Sequence, residues 1–416
     1  MKNLFLATAA LSLLMFGACK KNEMPRVEKT VKAGVLPNGS TLPGIINTNT
    51  ELVAGGTYYI DGKSYVVPGG DLVINAGVTL KGIKKALPAD ASALIVTRGG
   101  QIHADGTSGT IIFTSNEATP AVGDWGGVVI LGRATTNQPT TTSIEGINLP
   151  SLPPGVDVGY GGSSPTDNSG VFKYVQILYA GANVSTNNEL NALTLGGVGS
   201  GTEINHVEAS YGRDDAFEFF GGTVDASYLV SVNTNDDILD FDHGYTGNIQ
   251  YVLALRNSSA PGFSFNDANG IESDNAADGA TNTSLSPKTN ANISYATFIA
   301  GPTSAFSGTR SAARLRRGSG FTISNSIFSG YSTGIEVEDI ASGSFSGNVV
   351  HAFTNLGTIP GGNTTYLNSS NSNAAAEINF ALPFTLGGSF DPASLNHSSV
   401  GAIISGNYWF AGWSTL

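Results

Sequence analysis

The sequence predicts an all-β chain folded as a single right-handed parallel β-helix. Short β-type runs recur between Gly, Asn, Asp and Ser, apolar triplets return every 22 to 24 residues, and no sustained helical periodicity competes with them. The runs Asp71-Leu-Val-Ile-Asn, Ala93-Leu-Ile-Val-Thr, Thr110-Ile-Ile-Phe-Thr and Gly127-Val-Val-Ile-Leu have strand length and strand punctuation. The triplets Leu193-Thr194-Leu195, Phe217-Glu218-Phe219, Leu239-Asp240-Phe241 and Phe263-Ser264-Phe265 follow at intervals of 24, 22 and 24. Ala313-Arg314-Leu315 and Ile335-Glu336-Val337 repeat the pattern farther on. Alternation in a strand turns the outer pair of each triplet inward and the middle residue outward. One coil cannot bury its own apolar face, but stacked coils make a continuous core. A β-sandwich, the alternative, gives no reason for such a period.

In chain order, residues 1–18 run from Lys2 through an apolar stretch to Gly17-Ala18 and read as an export signal, too short to span a membrane as a helix. Cys19, the only cysteine, follows it directly. The segment resembles a bacterial lipoprotein signal, which implies that Cys19 is lipidated and anchors the protein to a membrane. No internal disulfide can form, so stability must come from packing. Residues 19–43 read as a flexible tether and residues 44–416 as the β-helix, with insertions near 134–170, 269–290 and 360–375. Trp409 and Trp413, in Tyr408-Trp-Phe-Ala-Gly-Trp, read as a cap on the exposed end of the core.

The chain has 416 residues with 20 Lys and Arg against 32 Asp and Glu, a formal charge of −12. That balance argues against nucleic acid as a partner, since phosphate recognition needs clustered basic residues. Gly123-Asp-Trp-Gly-Gly-Val-Val-Ile-Leu-Gly, Asn191-Ala-Leu-Thr-Leu-Gly-Gly-Val-Gly-Ser-Gly-Thr, Asp214-Asp-Ala-Phe-Glu-Phe-Phe-Gly-Gly-Thr and Asn269-Gly-Ile-Glu-Ser-Asp-Asn together resemble a family of β-helical cell-envelope lipoproteins of the Bacteroidetes. The resemblance implies the fold and an outer-membrane location, but no reaction.

The triplet register places Thr194, Glu218, Asp240, Ser264, Arg314 and Glu336 in one outward ladder, and Phe220, Asp242, Asn266, Arg316 and Glu338 in another two residues on. Adjacent rungs lie about 4.8 Å apart, so Glu218 and Asp240 would repel by roughly 3 kcal/mol at an effective dielectric near 20. A bound cation, a raised pKa or an Arg partner would offset that. The binding candidates are therefore Glu218, Asp240, Asp242, Asn266, Arg314, Arg316 and Glu336. Asp214, Asp215, Asp236 and Asp237 fall on neighbouring turns beside this sheet, with Glu272 and Asp274 on the insertion. Such clustered hard oxygens suit Ca²⁺.

Three function classes remain open. One is a binder or adhesin for an extended partner such as a polysaccharide or an envelope protein. Another is a Ca²⁺-dependent lyase or a glycoside hydrolase working through Glu218, Asp240, Asp242 and Arg314. The third is a structural envelope protein whose charges keep a flat sheet soluble. His206 and His243 lie near the acidic coils and read as turn histidines, because no histidine spacing suits zinc.

Overall fold

The computed structural model describes residues 34–147, 152–185, 188–256, 268–277, 280, 282–300, 311–357, 365–368, 395–396 and 398–416. Each turn of the chain lays down three strands that stack on those of the previous turn. Sheet A grows from Asn49–Leu52, sheet B from Thr57–Ile60 and sheet C from Lys63–Val66. Their neighbours pair parallel, for example Leu52 with Ile74, Leu80 with Phe113 and Val66 with Val96. This is a parallel β-helix.

Inward positions form one continuous apolar core. Leu193, Phe217, Leu239 and Ile271 succeed one another along sheet C, as do Leu195, Phe219 and Phe241. Phe219 stacks on Phe241 with ring centroids 5.2 Å apart, a contact worth about 1 kcal/mol beyond the burial itself. Trp125 is fully buried in this core, and its indole N–H donates to the Leu178 carbonyl at 2.9 Å.

From Gly170 onward the strands of sheets A and B merge into long strands, such as Gly170–Leu178 and Glu203–Ser210. Each turns the corner at a single aromatic residue with positive φ: Tyr174 (51°), His206 (51°), Tyr228 (59°), Tyr251 (58°) and Tyr295 (57°). L-residues rarely adopt that conformation, and here the rings stack from rung to rung at 4.2, 4.4, 4.9 and 5.5 Å. Repeated stacking offsets the backbone cost.

The structure corrects four expectations. The β-helix does not start at 44, because Gly34–Leu36 already pairs with Thr50 to Leu52 and Leu42 is buried. The second insertion does not begin at 269, because Ile271–Asp274 is the next strand of sheet C, pairing with Leu239 to Phe241. Thr365–Asn368, within the third expected insertion, pairs with Val349 to Ala352 as a further rung. Trp409 and Trp413 cap no end. Residues 398–416 run along the flank of sheet B, where Phe410 and Trp413 cover Val230, Val232, Leu253 and Leu255. That segment is tied down by Thr415, whose amide donates to the buried Glu208 carboxylate at 2.8 Å, and by Gln176, which donates to the Trp413 carbonyl at 2.8 Å. Residues 1–33, with Cys19, and 257–267, with Ser264 and Asn266, lie outside the described residues.

Candidate functional site: an acidic cleft on sheet C

The outward ladder of sheet C begins apolar and turns ionic. Tyr65, Ile95 and Val129 occupy successive rungs, followed by Thr194, Glu218, Asp240, Glu272, Arg314 and Glu336. Glu272 thus takes the rung assigned from sequence to Ser264. An excursion between Leu131 and Gly170 folds over the apolar rungs and buries Ile144, Ile147, Val158 and Tyr160 against them. Glycine makes this approach possible. A Cβ on Gly196 would lie 2.6 Å from Ile144 Cδ1 and 2.9 Å from Leu131 Cδ2.

Where the apolar rungs end, a cleft of about 480 Å³ opens. Nine carboxylates and one arginine line it: Glu145, Glu189, Asp214, Asp215, Glu218, Asp236, Asp237, Asp240 and Glu272, with Arg213. The carboxylates come from three kinds of element. Glu218, Asp240 and Glu272 are ladder residues, Asp214, Asp215, Asp236 and Asp237 sit on the turns that lead into sheet C, and Glu145 and Glu189 reach in from the excursion and from the edge of the hairpin Asn183–Ser185 and Asn188–Glu189.

Part of the turn chemistry is structural. The Asp215 amide donates to Asn191 Oδ1 (3.2 Å), the Asp237 amide to Asp215 Oδ1 (2.8 Å), the Asn269 amide to Asp237 Oδ1 (2.5 Å) and the Ser311 amide to Asn269 Oδ1 (3.1 Å). An Asn or Asp two residues before each inward apolar residue therefore caps the next rung. The sequence carries this signal at Asn191, Asp215, Asp237 and Asn269, and the repeat alignment overlooked it.

Each capping carboxylate keeps a second oxygen. Oxygens of Asp214, Asp215 and Asp236 lie within 4.8 Å of one another, and so do those of Asp215, Glu218 and Asp240. Asp215, Glu218 and Asp237 are more than nine-tenths buried, and Asp240 Oδ1 is buried with no hydrogen-bond partner. Burial, then the charges of neighbouring acids, raises Asp214, Asp215, Glu218 and Asp237 well above the carboxylate range. Asp240 is pushed up to about 8 by burial and Asp242, against the pull of Arg316. Burial and then Glu189 push Glu145 up to about 7. A cation held by such oxygens would replace their protons.

The other sequence candidates fall elsewhere. Arg314 pairs with Glu338 at 3.3 Å and Glu272 at 3.5 Å. Arg316 pairs with Asp274 at 2.9 Å and also with Glu272, and Arg317 pairs with Asp274. Asp274 is therefore held by arginines outside the cleft. Glu336 accepts a hydrogen bond from the Ser311 hydroxyl at 2.5 Å. Asp242 lies beyond the cleft, with one buried oxygen lacking a hydrogen bond, beside His243, whose Nδ1 is 2.6 Å from the Tyr160 hydroxyl. The proposed quartet Glu218, Asp240, Asp242 and Arg314 does not converge: only the first two face the cleft. Sequence reasoning missed Glu145, Glu189 and Arg213, since the first two are delivered by segments that interrupt the repeat.

Fold and site together define a β-helix that carries an acidic cleft on one sheet beneath a folded excursion. The chain belongs to the family of pectate-lyase-like β-helix domains, whose model matches residues 44–413. Among solved structures it is similar to PfbA, a surface adhesin of Streptococcus pneumoniae, at 13% identity and a TM-score of 0.34 over 77% of this chain and 83% of that one. No curated protein matches it.

Proposed function

We propose that this protein is a lipid-anchored β-helix of the bacterial cell envelope that binds Ca²⁺ in its acidic cleft and, through the ion, an extended polysaccharide. The observation that carries the reading is the convergence of Asp215, Glu218 and Asp240, whose oxygens lie within 4.8 Å of one another, with Asp240 Oδ1 buried and without a hydrogen bond. Ca²⁺ takes six to eight oxygens and accepts carboxylates alongside sugar hydroxyls, so protein ligands on one side of the cleft leave positions for a glycan on the other. Elongated solenoid faces suit stretched polymers. The lipoprotein-like signal ending at Cys19 and the resemblance to Bacteroidetes envelope lipoproteins support an outer-membrane address.

Calorimetric titration of Ca²⁺ into the chelator-treated protein tests the cleft. Saturable binding that is lost in both Glu218→Gln and Asp240→Asn is expected, and a heat signal unchanged by both substitutions would refute it. Polysaccharide chain length after incubation with the Ca²⁺-loaded protein is expected to stay constant; shortening would replace the binder by a hydrolase or lyase. Cys19→Ala is expected to move the protein from the membrane to the soluble fraction.

A further inference from the structure

The column of residues that caps successive rungs of sheet C reads Asn191, Asp215, Asp237, Asn269. We infer that the choice between Asn and Asp in this column sets where the cleft holds a cation, with Asn191 and Asn269 confining it to the rungs of Asp215 and Asp237. The inference rests on the reading of the cleft as a Ca²⁺ site and names the residues that bound it.

All four residues accept the amide of the next rung through Oδ1, so the fold tolerates either type. They differ in the second atom on Cγ. In Asp it is an oxygen that can ligate a metal, and in Asn it is an NH₂ group that only donates. At both ends of the column that NH₂ is aimed at a ladder acid. Asn191 Nδ2 donates to Glu218 Oε2 on the following rung, and Asn269 Nδ2 donates to Glu272 Oε2 on its own rung at 3.2 Å. Asn191 and Asn269 are buried, so water competes little for these contacts. An acid oxygen that accepts an N–H has one lone pair fewer for an ion, and a cation brought against the NH₂ would meet positive hydrogens. Between the two asparagines the chemistry changes. Asp215 contributes an oxygen to both carboxylate triads, one with Asp214 and Asp236 and the other with Glu218 and Asp240. At the far end Glu272 also pairs with Arg314 and Arg316, so its charge is answered without an ion. Because Asn and Asp have the same shape, the repeat could carry an acid at either end without altering its backbone.

The test is calcium calorimetry on the chelator-treated, full-length protein and its isosteric variants. Asn191→Asp keeps the cap acceptor and turns the donor facing Glu218 into a ligand oxygen. It should tighten Ca²⁺ binding by about tenfold, since affinity follows the count of ligand charges. The same variant should melt at a lower temperature than wild type in EDTA, where no ion answers the added charge. Asn269→Asp should give a smaller gain, because Glu272 keeps its arginines, and it carries the test if Asn191→Asp fails to fold. The control is Asn235→Asp, which adds the same charge to a neighbouring turn outside the column, where the Asn235 amide donates to the Gly212 carbonyl; its affinity should move much less. Unchanged or weaker binding in both Asn191→Asp and Asn269→Asp, or an equal gain in Asn235→Asp, would overturn the inference. Saturable binding by the wild type would then leave the reading of the cleft standing, whereas no binding by the wild type would overturn both.

Discussion

Sheet C carries two kinds of ionic rung, and they differ in what answers their charge. From Glu272 onward three acids meet arginines: Glu272 and Asp274 contact Arg314, Arg316 and Arg317, and Glu338 contacts Arg314. One and two rungs earlier, Asp240 and Glu218 meet other acids, and Arg213, the one arginine lining the cleft, faces eight carboxylates besides the arginine-paired Glu272. Both regions are built by the same repeat at the same spacing, so the fold does not require the imbalance. A compensated ladder is sufficient for a stable solenoid. The uncompensated one stores a demand for positive charge, either protons or a cation.

The contrast can be broken from either side. The largest effect is expected on the compensated rungs. Arg316→Ala takes one of two arginines from each of Glu272 and Asp274, which keep Arg314 and Arg317 in a largely buried setting, and should destabilise by about 3 kcal/mol, the low end for a broken buried pair, read as a lower midpoint of the first urea transition. In the cleft the sign should depend on calcium. At Ca²⁺ about a hundredfold above its dissociation constant, the ion should stabilise the protein by about 2.7 kcal/mol, seen as a rise in melting temperature that EDTA abolishes. Asp240→Asn should reverse direction between the two conditions, raising the midpoint by about 1 kcal/mol in EDTA, where it removes like-charge repulsion, and lowering it in calcium. An Arg316→Ala protein as stable as wild type, or an Asp240→Asn protein that is weaker even in EDTA, would erase the distinction.

The smallest predicted effect is a pH dependence. Glu145 and Asp240 have folded pKa values of about 7 and 8, above their values in the unfolded chain. Such groups leave full stability below about pH 4, where both states are protonated, and lose it as pH rises toward 8, where the unfolded chain has released protons that the folded cleft retains. In EDTA the melting temperature should therefore fall by a few degrees between pH 5 and 8. Calcium should flatten that slope, because the ion replaces the protons. A melting temperature in EDTA that rises over this interval would contradict the assignment.

The fold was legible because a parallel β-helix turns sequence spacing directly into spatial adjacency. Leu193, Phe217 and Leu239 stand 24 and 22 residues apart and end up directly paired. The same rule brought Asp214, Asp215, Asp236, Asp237, Glu218 and Asp240 together. It failed where the coil length changed: the chain between Leu239 and Ile271 is longer than a coil, so the register passed to Glu272 and not to Ser264. It also could not place Glu145. That residue is positioned by Ile144 and Ile147 packing on Tyr65, Ile95 and Val129, an agreement between two surfaces that neither surface's own periodicity reveals. The tryptophans of the C-terminal segment were misplaced for the same reason, since an apolar cluster fits a flank as well as an end.

That segment has a consequence for how the molecule is completed. Contacts in a solenoid run between neighbouring rungs, so stacking can advance as the chain lengthens. The tie from Thr415 to Glu208 spans 207 residues, and that from Gln176 to Trp413 spans 237. Rungs formed midway through synthesis thus keep an apolar flank open to water until residues near 400 arrive to cover it. For that interval the half-made helix is a sticky surface, and a helper that shields sheet B would act at the middle of the protein rather than at its growing tip.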